Sequence, residues 1–298
     1  MTFLIIGDMG TSDHYQLLVA KSMEELIKNY KVKFICGLGD NIYEFGVKSV
    51  TDIKFKKHFE EPYKNINLKF YMCLGNHDYG EIINNVIPKD YKHQIDYTKI
   101  SKKWHLPQRY YTYSKKMNGI QVDFFVLDTN IDLMEDNEIM DQLFFFKKAI
   151  KKSKGRWKIL YGHHTYRSVS GHGNAEPLLE NFLNALFSLG KIDIYMCGHD
   201  HTKQYIQKQL KFNNNNNKNN KNNKKTLNKN NKILHIIVCG SGGKPYDYVT
   251  NLKNMNDCDL IFSSTNLGVG LINCKRNITN ISFFNEKNDL EYKYSIKK

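Results

Sequence analysis

Residues 3–10 read Phe-Leu-Ile-Ile-Gly-Asp-Met-Gly, an apolar run closed by a glycine and a carboxylate. Four apolar residues in succession fit a short buried strand, and the glycine marks where it stops. The same punctuation returns along the chain. Val32–Cys36 runs into Gly39-Asp40-Asn41, and Leu68–Leu74 into Gly75-Asn76-His77-Asp78. Lys158–Tyr161 runs into Gly162-His163-His164, and Ile192–Cys197 into Gly198-His199-Asp200-His201. A sixth run, Val122–Leu127, ends in Asp128-Thr129-Asn130. Between these runs, residues 12–30, 135–152 and 176–189 read as helices. In the first of them Leu17, Leu18, Ala20, Met23, Leu26 and Ile27 form a stripe of helical period. Such β-α-β alternation predicts a layered α/β domain. Beyond residue 202 the runs shorten, to 203–210, 233–239, 259–264, 267–273 and 278–284. They predict an antiparallel region that completes a sheet-on-sheet core. No internal repeat or linker divides the chain, so one domain over 1–298 is expected.

The polar residues fall at the strand ends, and that is the chemical signal. In α/β sheets the carboxyl ends of the strands form the ligand crevice. Asp8, Asp40, Asn76, His163, His199 and His201 should therefore converge on one patch. Six of the eleven histidines, at 77, 163, 164, 172, 199 and 201, lie in or beside these turns. Two carboxylates, one amide oxygen and three imidazoles exceed the four ligands of a structural zinc. They are too rich in nitrogen for a calcium or magnesium cage. They suit two transition metals roughly 3.5–4 Å apart that share a carboxylate and clamp a phosphoryl group.

The ordered blocks GDMG, GDNIY, GNHD, GHH and GHDH resemble the five-block signature of metallophosphoesterases. More narrowly they are similar to purple acid phosphatases of the small, tartrate-resistant type. The resemblance covers about residues 3–243. It implies a four-layer α/β/β/α sandwich with mixed sheets. General metallophosphoesterases open with Asp-x-His, whereas this chain has Asp8-Met9-Gly10. In compensation Tyr43 stands three residues after Asp40, where purple acid phosphatases place a tyrosinate. Carried over, Asp8, Tyr43 and His201 would hold Fe(III), and Asp40 would bridge. Asn76, His163 and His199 would hold a second divalent metal (Fe, Zn or Mn). The implied reaction is hydrolysis of a phosphate monoester by a hydroxide bound at this dinuclear centre, an acid phosphatase activity. His77 would contact the phosphate or protonate the leaving oxygen. His172, nine residues after His163 and flanked by glycines, resembles the family's second substrate histidine. His164 would join substrate binding or merely fill space, and Asn41 would bond the phosphate or serve its turn. Gly240-Ser241-Gly242-Gly243 resembles the glycine turn that closes the site.

Around this centre the rest of the sequence sets bounds. The 298 residues, 41% hydrophobic and 13% aromatic, can bury a substantial core. No run approaches the roughly 18 apolar residues of a membrane span. The first residues lack the basic and apolar regions of a secretory leader, so the chain as written reads as cytosolic or as a form given without its leader, and the family often works in secretory or lysosomal spaces. Residues 213–232 hold twelve Asn and six Lys, a composition that cannot bury apolar surface and predicts a disordered loop. Taking those six lysines from the net charge of +14 leaves +8, which still favours anionic partners. No nucleic-acid-binding motif accompanies the charge, and a monomer acting on a small phosphate monoester is the expectation. The six cysteines include no Cys-x-x-Cys and read as reduced, packed groups. The sequons at Asn277 and Asn280 carry little weight in an Asn-rich chain. Tyr91, Tyr97, Trp104, Tyr110, Tyr111 and Tyr113 would form an aromatic rim for the substrate or, more simply, pack against the domain. Two other readings stay open: a general metallophosphoesterase with two Mn(II) acting on phosphodiesters, nucleotides or phosphoproteins, and an inactive scaffold relative.

Overall fold

The computed structural model describes residues 1–84, 86–211, 232–245, 255 and 257–298. The first sheet contains β1 (Thr2–Ile6), β2 (Ile35–Gly37), β3 (Phe70–Met72), β4 (Trp104–His105), β12 (Gly268–Cys274), β13 (Ile278–Asn285) and β14 (Leu290–Lys297), in the order β14-β13-β12-β1-β2-β3-β4. The second contains β5 (Tyr111–Met117), β6 (Ile120–Val126), β7 (Trp157–Tyr161), β8 (Ile194–Cys197), β9 (Lys203–Leu210), β10 (Lys232–Cys239) and β11 (Asp259–Ser264), in the order β11-β9-β10-β8-β7-β6-β5. Both sheets are mixed. β1 through β4 pair in parallel, as do β6, β7, β8 and β10, while the flanking strands run antiparallel.

Side-chain alternation builds the layers. Phe124, Val126, Ile159, Tyr161, Ile194, Met196 and Ile237 point between the sheets, into one core with Phe3, Ile5 and Ile35. Their neighbours Phe125, Leu160, Tyr195 and Val238 point outward, onto the helices Asp136–Lys152 and Pro177–Phe187. A period of two with both faces apolar is what a sheet covered on both sides requires. On the far side, helix His14–Tyr30 adds Val19, Ala20, Met23 and Leu26 to the first sheet's core. It starts at His14, two residues beyond the expected start, because Asp13 caps it by accepting from Tyr15 N and Gln16 N and an N-cap residue is itself non-helical. The result is the α/β/β/α sandwich.

The expected strands and helices lie where the periodicity put them, to within a few residues, and strands β4, β5 and β14 and the helix Tyr91–Tyr97 are added. Residues 290–297 form β14, which alternates Tyr292, Tyr294 and Ile296 with Lys293, Ser295 and Lys297. The aromatic segment supplies β4 and β5 and packs against the domain, the simpler of its two readings. Tyr97 stacks on Phe55 at 3.6 Å, Trp104 is 1% exposed, and Tyr111 Oη donates to Met72 O. The 213–232 tract lies outside the described residues except for Lys232, which begins β10. All six cysteines are free, five of them buried. Among the described residues no helix is long and apolar enough to cross a membrane.

Phe124 of the second sheet meets Phe3 (5.4 Å) and Phe34 (5.7 Å) of the first edge to face, and stacks on Tyr113 (4.6 Å). Phe124→Ala should therefore lower the unfolding free energy by about 3–5 kcal/mol, read as a fall in the denaturant midpoint. A loss below about 1 kcal/mol would contradict the inter-sheet packing.

Candidate metal centre

The carboxyl ends of the parallel strands in both sheets open at one edge of the sandwich. Asp8 follows β1, Asp40 follows β2, Asn76 follows β3, His163 follows β7, and His199 and His201 follow β8. Backbone hydrogen bonds stitch these turns together: Asp8 N to Gly39 O (3.0 Å), and Gly198 N to His163 O (3.0 Å). Asp8, Asp40 and His199 adopt φ values of 56°, 50° and 69°, in the left-handed region. Non-glycine residues held there concentrate at functional sites, where the surroundings over-determine the backbone.

The structure brings all seven expected ligands together as two groups around one carboxylate. In the first, Tyr43 Oη lies 3.2 Å from Asp8 Oδ1, 2.9 Å from Asp40 Oδ2 and 3.4 Å from His201 Nε2. His201 Nε2 is 3.5 Å from Asp8 Oδ1. In the second, His163 Nε2 lies 3.1 Å from Asn76 Oδ1, 3.1 Å from His199 Nδ1 and 3.4 Å from Asp40 Oδ2. Asp40 Oδ2 belongs to both. One ligand atom each from Asp8, Asp40 and His163 lie within 4.8 Å of one another.

The donor chemistry fits cations. Tyr43 has one hydroxyl hydrogen to set against three acceptors. His163 donates from Nδ1 to Leu38 O (2.9 Å), so in the neutral ring Nε2 carries the lone pair and faces an amide oxygen and a carboxylate. Lone pairs converging in a buried space repel unless a cation sits among them. Atoms bound 2.0–2.2 Å from a common ion are themselves about 3–3.5 Å apart, the spacing of each group.

The ligands differ in their electrostatics: burial lowers His163, but the attraction and hydrogen bond of Asp40 outweigh it and raise it to about 9, and burial followed by the two carboxylates pushes Tyr43 well above the usual phenol range. Burial lifts Asp8 well above the carboxylate range, against the pull of His163. Burial acts on Asp40 in the same sense, but the attraction and hydrogen bond of His163 outweigh it and hold Asp40 well below that range. His199 is pushed far down by burial and then by neighbouring imidazoles, and His201 falls to about 3 by burial, then by His172 and Lys244. Neutral imidazole is the form that binds a metal.

The substrate-side expectations divide. His77 lies at the mouth, its side chain 26% exposed, with Nε2 3.9 Å from Asp40 Oδ2 and Nδ1 donating to Glu44 O. His172 stacks on His199 at 4.2 Å, and its backbone N–H donates to Asp200 Oδ1 (2.8 Å). His164 packs 5.1 Å from the His163 ring and 4.5 Å from that of His199, with Thr129 Oγ1 at 2.9 Å from its Nδ1. Burial and then His163 push His164 down to about 3, so it supplies a neutral ring behind two ligands. The expectation for Asn41 is corrected. Its Nδ2 faces Cys73 O, Asp78 Oδ2 and Gln94 Oε1 inside the fold, leaving no hydrogen for a phosphate.

Sequence reasoning passed over three supporting groups. Asp78 accepts from Asn41 N, Gly75 N and Gln94 Nε2, pinning the turns of Asp40 and Asn76 to each other. Thr129 Oγ1 accepts from His163 N and His164 N. Asp200 anchors the His172 loop. Asp78 and Asp200 stand inside the quoted blocks, so their position was the available signal; Thr129 ends the one strand without a glycine.

A family model described as calcineurin-like phosphoesterase matches residues 1–203. The chain is 30% identical to tartrate-resistant acid phosphatase type 5 of Rattus norvegicus over 231 residues, 70% of this chain and 69% of that protein. It is 29% identical to the Sus scrofa protein of that name, over 70% of this chain and 66% of that protein. To purple acid phosphatase 7 of Arabidopsis thaliana it is 31% identical, over 69% of this chain and 66% of that protein. The chain thus spans about two thirds of the length of these relatives. In fold it is similar to GAP50, the anchor in the inner membrane complex of Plasmodium, with a TM-score of 0.77 and 21% identity over 100% of this chain and 88% of that one. It is also similar in fold to purple acid phosphatase PPD1 from yellow lupin seeds, with a TM-score of 0.71 and 17% identity over 100% of this chain and 53% of that one.

Asn41→Ala should lower the unfolding free energy by about 1–3 kcal/mol, because it strips hydrogen bonds from a buried carboxylate. Equilibrium unfolding measures this. A variant of unchanged stability whose only defect is a raised KM would restore Asn41 to the substrate.

Proposed function

We propose that this chain, a member of the calcineurin-like phosphoesterase family on its purple acid phosphatase branch, is a metal-dependent phosphomonoesterase built as one domain over residues 1–298. The carrying observation is the pair of ligand groups that share Asp40 Oδ2. Asp8, Tyr43, His201 and Asp40 would hold one ion, and Asn76, His163, His199 and Asp40 the other. Tyr43 is a hard, anionic donor as phenolate, which favours Fe(III) at the first position, with divalent Fe, Zn or Mn at the second. Bound there, such a pair activates water for in-line attack at phosphorus and neutralises charge on the phosphoryl oxygens.

The chain's own residues supply the rest. The Nδ1–H of His163 on Leu38 O fixes its tautomer and ring plane. The His199 backbone N–H holds Asp8 Oδ2 at 2.9 Å, and that of His77 holds Asp40 Oδ1 at 3.1 Å, so both carboxylates keep their orientation while substrate turns over. His77, tethered through Nδ1, presents Nε2 toward the shared carboxylate and would deliver a proton from Nε2 to the leaving oxygen. His172, over His199, would contact the phosphate from the opposite loop.

Elemental analysis of the purified protein should find two metals per chain including iron, with a visible band that Tyr43→Phe abolishes. A colourless protein holding two manganese ions would favour the general metallophosphoesterase reading instead. Separately, His77→Asn should lower kcat roughly 10²–10⁴-fold on an alkyl phosphate and much less on p-nitrophenyl phosphate, whose leaving group needs no proton. Equal losses on the two substrates would remove His77 from proton transfer.

A further inference from the structure

The strand β10 leads through Gly240-Ser241-Gly242-Gly243 to Lys244, at the mouth of the metal centre. Lys244 Nζ lies 4.3 Å from the centroid of the Tyr43 ring and 3.5 Å from Glu44 Oε1. The same Glu44 carboxylate reaches His77, with Oε2 3.8 Å from Nδ1. The Tyr43 ring in turn lies 4.5 Å from the His77 ring. One exposed carboxylate thus spans an imidazole and an ammonium, and both of these border the ligand tyrosine. The backbone beneath Lys244 is fixed: Gly242 N donates to Gly7 O at 3.0 Å, tying the glycine turn to the Asp8 turn. The ammonium is therefore held beside the site, while its partner Glu44 is 57% exposed and free to swing into water.

An ion pair so exposed contributes little to folding, about 0–1 kcal/mol, so stability does not account for a cation aimed here. An incoming anion offers a better partner than a hydrated carboxylate, because binding displaces water from the mouth and strengthens the contact.

We propose that Lys244 is a specificity-determining residue that binds a second anionic group, carried by the leaving portion of the substrate next to the scissile phosphate. The preferred substrates are then phosphate esters or anhydrides with an adjacent negative charge. Glu44 occupies Lys244 in the free protein and is displaced on binding. This rests on the phosphomonoesterase reading above. It adds the chemical class of the leaving group.

The test compares inorganic pyrophosphate, which bears the second anion, with phenyl phosphate, which does not. In Lys244→Gln the ratio of kcat/KM for pyrophosphate to that for phenyl phosphate should fall roughly tenfold, the size expected for one charge-assisted contact. Lys244→Arg should keep the ratio, and the wild-type preference should shrink at 1 M salt. Calorimetric titration gives a readout without turnover: pyrophosphate binding weakens in Lys244→Gln by more than inorganic phosphate binding does. A ratio within twofold of wild type, or equal weakening for both anions, overturns the assignment. If wild type hydrolyses neither compound, the phosphomonoesterase reading fails, and the titration still decides whether Lys244 reads the second anion.

Discussion

The two sheets meet backbone to backbone at their carboxyl edges, and everything chemical depends on that closure. Gly7 N donates to Cys239 O at 2.8 Å, a backbone bond from the end of β1 in one sheet to the end of β10 in the other. A side chain at Gly7 would press on Cys239 O, Gly198 Cα and the Leu38 side chain, each 3.1 Å from its Cβ. Packed sheets ordinarily stand about 10 Å apart, so side chains fill the gap and backbones do not meet. Here the gap closes to hydrogen-bonding distance. Asp8 from one sheet and His199 from the other can then meet through a backbone contact, with no long side chains reaching across.

Closure of this kind concentrates charge. Asp8, Asp40 and His163 are each no more than 2% exposed, and His201 is 8% exposed. Isolated buried carboxylates would protonate or force the backbone open. The turns resist by other means: backbone N–H groups of His77 and His199 hold the two carboxylates, and Asp78 and Thr129 hold the turns that carry their neighbours. Six of the seven ligands sit two to four residues beyond a strand, and Tyr43 follows six residues after β2. That placement fixes a binding constellation more closely than a free loop could. The balance is weighted toward cations, since His199 and His201 are kept neutral and Asp40 is kept ionised, while Asp40 in turn raises His163 to about 9 against the effect of burial.

The sequence made the architecture and the seven ligand positions legible because both follow from local signals. Apolar runs with period-two burial announce strands, and a strand's carboxyl end is where parallel sheets place function. What stayed hidden depends on direction. Asn41 follows Asp40 immediately, so successive side chains diverge: Asp40 turns to the centre and Asn41 turns inward to Asp78 and Gln94, 37 and 53 residues away. Nothing local distinguishes those two outcomes. The aromatic segment left two outcomes open, since a tyrosine reads alike whether its ring stacks on a ligand or, like Tyr113, on Phe124; the simpler one, packing against the domain, is what the fold shows. Strand β14 was readable in its alternation of tyrosine and lysine, but its short, half-buried residues make no continuous apolar run.

The missing histidine of the first block and the tyrosine of the second are one substitution seen twice. A Cβ on Gly10 would lie 1.9 Å from Asn41 O and 2.7 Å from Ile42 Cα, so no side chain fits at position 10 while the 41–43 turn takes this path. That path delivers Tyr43: its backbone N–H donates to Gly10 O at 2.9 Å, and His58 Nδ1 bonds the same carbonyl. A histidine at position 10 would push the turn away and with it the phenol that meets Asp8, Asp40 and His201. Only one of the two donors can occupy the space. Imidazole or phenol at this corner is therefore a choice made by backbone packing.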